Sequence, residues 1–81
     1  MSKSILKFSR VGCNPCKVMS NFLQDKGVDY KELDVEEDAQ LAVQYGIGGV
    51  PTLLLVDENN DVLDRVVGFN PSDIEELISK Q

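Results

Sequence analysis

The chain has 81 residues, 42% of them apolar and 27% charged, the composition of one small soluble domain. A core of this size takes up only about 60–65% of the surface that the unfolded chain exposes. Fourteen acids against eight bases give a net charge of −6, which argues against nonspecific binding to nucleic acid or anionic membranes but leaves a basic partner open. There is no histidine, so Cys–His nucleophiles, Ser–His–Asp triads and every His-containing zinc site are excluded.

The N-terminal MSKSILKFSR has no apolar run of signal-peptide length, and no stretch of about 18 apolar residues occurs anywhere. A reducing cytoplasm is therefore the expected compartment, where a cysteine pair reads as catalytic or metal-binding before structural. Ser4–Ser9 (SILKFS) is predicted as the first strand. Cys13 then opens a helix in which Val18, Met19, Phe22 and Leu23 recur at helical spacing, with Lys26 in the last turn and Gly27 as the residue that ends it. A second strand is predicted over 28–35, with Tyr30, Leu33 and Val35 as its buried positions.

A short helix over about 38–45 is expected to start on the acids Glu36, Glu37 and Asp38, which would complement its dipole, and to end at Gly46. Thr52–Val56 (TLLLV) is a continuous apolar run, as expected of a strand covered on both faces. Val62–Val67 returns after the turn residues Glu58, Asn59, Asn60 and Asp61, so the two form a hairpin. Asn70 as N-cap with Pro71 at the first helical position starts a last helix, whose apolar face is Ile74, Leu77 and Ile78. The predicted order is βαβαββα in a single α/β domain over residues 1–81, a mixed four-stranded sheet flanked by three helices packed on both faces.

Both cysteines stand in VGCNPCKVM, at positions 13 and 16. With Cys13 at the helix N-cap, its sulfur faces unpaired backbone N–H groups and the positive end of the dipole, which favour thiolate over thiol. Cys16 lies one turn deeper on the same face, within disulfide range. Cys13 would then attack a substrate disulfide and Cys16 would resolve the mixed disulfide. Pro15 is tolerated in the first turn, where its missing N–H would have had no partner. The rival is a metal module, but two thiolates fill only half a tetrahedral zinc site, and a Cu(I) carrier with CxxC between strand and helix would run βαββαβ. The third reading is a structural disulfide, although so small a loop constrains the unfolded chain little. Redox chemistry leads, and metal binding stays the alternative.

Other signals are weaker. Gly46, Gly48 and Gly49 suggest a phosphate loop, but Pro51 breaks the pattern and a strand follows instead of a helix. Asp57, Asn59 and Asp61 start like a calcium loop, which Val62 and Gly68 then fail to continue. Phe69 and Tyr30 are too isolated to form a stacking platform for nucleic acid.

Taken with YGIGGVPTLLLVDENNDVLDRVVGF, the CNPCK at 13–17 makes the chain resemble the thioredoxin/glutaredoxin-like family from Ile5 to Ile78. The resemblance implies a compact thioredoxin-like fold and thiol–disulfide exchange with no cofactor beyond the Cys13–Cys16 redox disulfide. It also implies that Pro51 is cis and that Gly49, Val50 and Pro51, with Gly12 and Gly68 nearby, shape the substrate groove. Gly12, Val50 and Phe69 would form the apolar docking patch. Asn14 and Pro15, between the cysteines, would tune the redox potential, and Lys17 would add positive potential. Protein disulfides are the implied substrates, thioredoxin reductase or glutathione the electron source, and ribonucleotide reductase a client; the protein would act as a monomer.

The departures are specific. Gly12 stands where thioredoxins carry tryptophan, and there is no room before Ser4 for their extra first strand and helix. Asn14–Pro15 also replaces the glutaredoxin Pro–Tyr pair. Thioredoxins place a buried aspartate in the central strand beneath the second cysteine, with a lysine on the neighbouring strand. Ungapped matching puts Lys7 at the acid's position and Glu32 at the lysine's. Two readings follow: the two form a partly buried pair near Cys16, with Glu32 a candidate proton acceptor and Lys7 favouring the thiolate directly, or Lys7 snorkels to the surface and Glu32 is simply solvated.

Overall fold

A computed structural model describes residues 2–81. Its elements are β1 (Ser4–Ser9), α1 (Asn14–Asp25), β2 (Lys31–Asp34), α2 (Ala39–Gln44), β3 (Thr52–Val56), β4 (Val62–Val67) and α3 (Pro71–Ser79), the expected βαβαββα order. The sheet order is β2-β1-β3-β4, so the two inner strands are β1 and β3. β1 and β2 run parallel, while β3 is antiparallel to both β1 and β4.

The helices divide between the two faces because successive side chains on a strand point to opposite sides. Ile5, Leu53 and Leu55 pack with Met19 and Leu23 of α1 and with Ile74 and Leu77 of α3. Phe8, Leu54 and Val56 pack on the other side with Leu33 and with Ala42 of α2. All five residues of β3 are buried, which accounts for the uninterrupted TLLLV. No helix among the described residues is long and apolar enough to cross a membrane.

Four local expectations are corrected. β2 begins at Lys31 instead of residue 28, because residues 27 and 28 are used in stopping α1. Gly27 has φ +68° and donates its N–H to Gln24 O, while Val28 N–H reaches Leu23 O, both at 3.0 Å, closing the helix in a Schellman motif. Val18 is 46% exposed and not part of the core face.

The acids at 36–38 form a turn ahead of α2 and leave its first turn without an acid. Asp34 Oδ1 accepts the N–H groups of Glu36 and Glu37, and Asp38 Oδ2 accepts that of Asp34, so carboxylates satisfy the turn's backbone instead of the helix dipole. Asn70 occupies the N-cap of α3 without a capping hydrogen bond, its Nδ2 donating instead to Val67 O at 3.2 Å. The hairpin turn works as read: Asp57 Oδ1 accepts the N–H groups of Asn59 and Asp61.

Candidate functional site

Strand direction gathers the site. The register pairs Phe8 with Thr52 and Thr52 with Val67, so the chain leaving β1, the chain entering β3 and the chain leaving β4 meet at one end of the sheet. Gly68 N–H ties two of these loops together by donating to Pro51 O at 2.8 Å. The third is a tight turn closed by Cys13 N–H to Arg10 O at 3.3 Å. Gly12 lies within it at φ +81°, a conformation that a side chain would strain.

Cys13 is the N-cap of α1. Its backbone is extended, its Sγ accepts Cys16 N–H at 3.1 Å, and the first turn of the helix contains no acid to offset the dipole. Asn14 and Pro15 are exposed as the first two helical residues, and Lys17 is exposed beside them. Cys13 and Cys16 are joined by a disulfide, with 5.3 Å between their Cα atoms. The two sulfur-bearing residues differ in access: Cys13 is half-buried, whereas Cys16 is only 3% exposed.

At the same end of the sheet, where β3 begins, the Val50–Pro51 peptide is cis. Pro51 is buried, Val50 half-buried and Gly49 exposed. Thr52, 1% exposed, anchors this loop by donating its hydroxyl to Gly49 O at 2.7 Å. The apolar rim differs from expectation. Phe69 turns inward, edge-on to Phe22 at 5.5 Å between centroids, while Val11 and Val67 are exposed at 84% and 56%.

A shallow pocket of about 340 Å³ runs from Gly12 and the cysteines to the Lys7–Glu32 pair. The charged side chains lining it are Lys7, Arg10, Lys17 and Glu32, a locally positive set on a chain of net charge −6. A larger cavity of about 540 Å³, lined by Lys3, Asn60 and Gln81 among others, holds no thiol.

Lys7 is 2% exposed on β1, directly across the parallel register from Glu32 on β2. Its Nζ donates to the Glu32 carboxylate, at 2.9 Å to Oε1 and 3.0 Å to Oε2, and to Ser20 Oγ. The ring of Tyr30 lies 5.9 Å from the same nitrogen. Glu32 is 47% exposed in its side chain and also accepts from Ser9 and, at 3.5 Å, from Ser20. Lys7 therefore does not reach out to solvent. The negative end of the pair does.

Sequence reasoning missed Ser20 and Thr52. Ser20 was detectable as the residue four after Cys16, on the same face of α1. Thr52 was hidden by its own strand, where it reads as one more buried position. Among the described residues, no group of three or more Cys, Asp or Glu is placed to hold a metal ion.

The thioredoxin family profile matches residues 1–80. The SPbeta prophage-derived thioredoxin-like protein YosR of Bacillus subtilis (strain 168) is 32% identical over 94% of this chain and 95% of its own length. Staphylococcus aureus thioredoxin is 31% identical over 94% of this chain and 79% of its own. Among solved structures, thioredoxin f from spinach chloroplast superposes with a TM-score of 0.86 at 28% identity, over 98% of this chain and 75% of that one. The chain belongs to the thioredoxin family and is a thiol–disulfide oxidoreductase whose redox group is its own Cys13–Cys16 disulfide.

Proposed function

We propose that this thioredoxin-family oxidoreductase works in the cytoplasm as a reductant of protein disulfides, with Cys13 as nucleophile and Cys16 as resolving thiol. The unequal access of the two cysteines carries the reading: Cys13 is the half-buried residue at a helix N-terminus, and Cys16 is covered. In the reduced protein, the Cys13 thiolate attacks one sulfur of a client disulfide. The client S–S bond breaks, one client sulfur leaves as thiolate, and the other is bound to Cys13. Cys16, having lost its proton, then attacks Cys13 Sγ. The Cys13–Cys16 bond forms, the second client thiolate leaves and takes up a proton, and two electrons have passed to the client.

In this reading Gly49, Val50 and Pro51 form the groove for the client backbone, with Gly12 and Gly68 at its edges. Val11, Val50 and Val67 supply apolar contact, and Asn14, Pro15 and Lys17 border the sulfurs. Electrons would return from a thioredoxin reductase or from glutathione. Ribonucleotide reductase is the client to test first, because that chemistry needs a dithiol donor.

The test is turnover of a protein disulfide with NADPH and thioredoxin reductase, run beside glutathione with glutathione reductase. Cys-dependent turnover with either source supports the reading and identifies the donor. No turnover with either overturns it.

A further inference from the structure

Lys7 has no place in the exchange steps above, yet it is a buried charged residue that lines the same pocket as the two cysteines. Burying an ammonium is unfavourable, and Lys7 offsets this by bonding to the Glu32 carboxylate and Ser20, so that no buried side-chain N or O atom among the described residues lacks a partner. Its arrangement is directional. The positive end lies inside at 2% exposure and the carboxylate outside at 47%. Ser20, which receives one of the Lys7 hydrogen bonds, stands one helical turn from Cys16 on α1, and both line the same pocket.

We propose that the Lys7–Glu32 pair sets the charge state of Cys16: Lys7 favours the Cys16 thiolate from the buried side, and Glu32 holds that effect in check from the solvent side. Lys7 is thus a positioning residue for charge, acting across the protein interior and through Ser20. Its hydrogen bonds go to Glu32 and Ser20 and not to the sulfur. The ionisable groups that line the pocket with Cys16 are Lys7 from β1, Arg10 from the turn, Cys13 and Lys17 from α1, and Glu32 from β2. Arg10 and Lys17 are exposed and screened by water and salt, whereas Lys7 is not. Glu32 faces Lys7 with both oxygens hydrogen-bonded, to Lys7 and to Ser9, and not to Cys16.

The inference rests on the resolving role proposed for Cys16, and its signs are opposite for the two partners. In Cys13→Ser protein, where Cys16 is the only thiol, ultraviolet thiolate absorbance is followed against pH. Adding Lys7→Met is expected to raise the Cys16 midpoint by about one pH unit, about tenfold less thiolate at a given pH below it. Adding Glu32→Gln is expected to lower the midpoint. In the dithiol protein the potentials move accordingly, since stabilising the thiolate favours the reduced form. Lys7→Met becomes more reducing and Glu32→Gln more oxidising.

A midpoint unmoved by either change would overturn the proposal and leave the pair structural. A midpoint unmoved by Glu32→Gln, with slower resolution of a Cys13 mixed disulfide, would overturn it in favour of Glu32 as proton acceptor. The titration reads Cys16 without requiring turnover. Failure here therefore leaves the exchange activity standing, and absence of turnover leaves the titration readable.

Discussion

The Lys7–Glu32 pair predicts an asymmetry in stability. Replacing Lys7 by methionine keeps a similar length and removes a buried ammonium. Its acceptors are not stranded, because Glu32 is 47% exposed and its carboxylate can turn to water. Exchanging a buried ionic partner for an apolar side chain of similar volume is often neutral or stabilising. Lys7→Met should therefore fall within about 1 kcal/mol of the parent, on either side. Glu32→Gln does the reverse and leaves the ammonium, 2% exposed, without its counter-charge. Breaking a buried pair from one side costs about 3–5 kcal/mol, and the exposure of Glu32 reduces this to about 2 kcal/mol. For a domain of this size that is a fall of roughly 8–16 °C in Tm.

The assay is thermal unfolding of the oxidised proteins by far-ultraviolet circular dichroism, with the Lys7→Met/Glu32→Gln double variant completing the cycle. The double variant should recover most of the loss, since no buried charge remains. Equal losses in the two single variants, or no loss with Glu32→Gln, would refute the reasoning. A buried lysine that can be removed without loss of stability is kept for something else, which is the link from this measurement to Cys16.

Three further outcomes are expected. Cys16→Ser should accumulate a client joined to Cys13 as a mixed disulfide, visible by mass spectrometry, while Cys13→Ser should trap nothing. Thr52→Val removes the hydroxyl that donates to Gly49 O at 2.7 Å, so stability should change by no more than about 1 kcal/mol while KM for a protein disulfide rises. Urea unfolding and steady-state kinetics separate the two effects. Gly27→Ala places a Cβ at φ +68° with no neighbour within 4 Å, so the loss is conformational alone, about 1–2 kcal/mol in urea unfolding.

The strands and their order were legible because pattern and burial coincide: TLLLV is apolar throughout and buried throughout, and SILKFS becomes the strand beside it. The boundaries at 28–30 were not, because Val28 and Tyr30 carry strand-like side chains while the backbone at 27–28 is used in closing α1. The acids at 36–38 were misassigned for a related reason. A carboxylate ahead of a helix can serve the dipole or the turn, and only geometry shows that Asp34 and Asp38 serve the turn. Lys7 and Glu32 could be matched from sequence through the resemblance to thioredoxins, and the parallel register of β1 and β2 sets them side by side. Which of them is buried could not be read, since that depends on where α1 lies over the sheet. Ser20 could be placed one turn after Cys16 from the sequence, but its partner became visible only once the Lys7 ammonium had a position.

The central claim is that Cys13 and Cys16 interconvert between dithiol and disulfide to reduce other proteins. Its most direct test is the equilibrium reduction potential of that pair, titrated in a glutathione buffer. A reversible two-electron transition near or below about −250 mV is predicted, the range of thioredoxin-type reductants. A value around −200 mV or higher would contradict the reducing direction, and failure to form a reversible disulfide would contradict the claim itself.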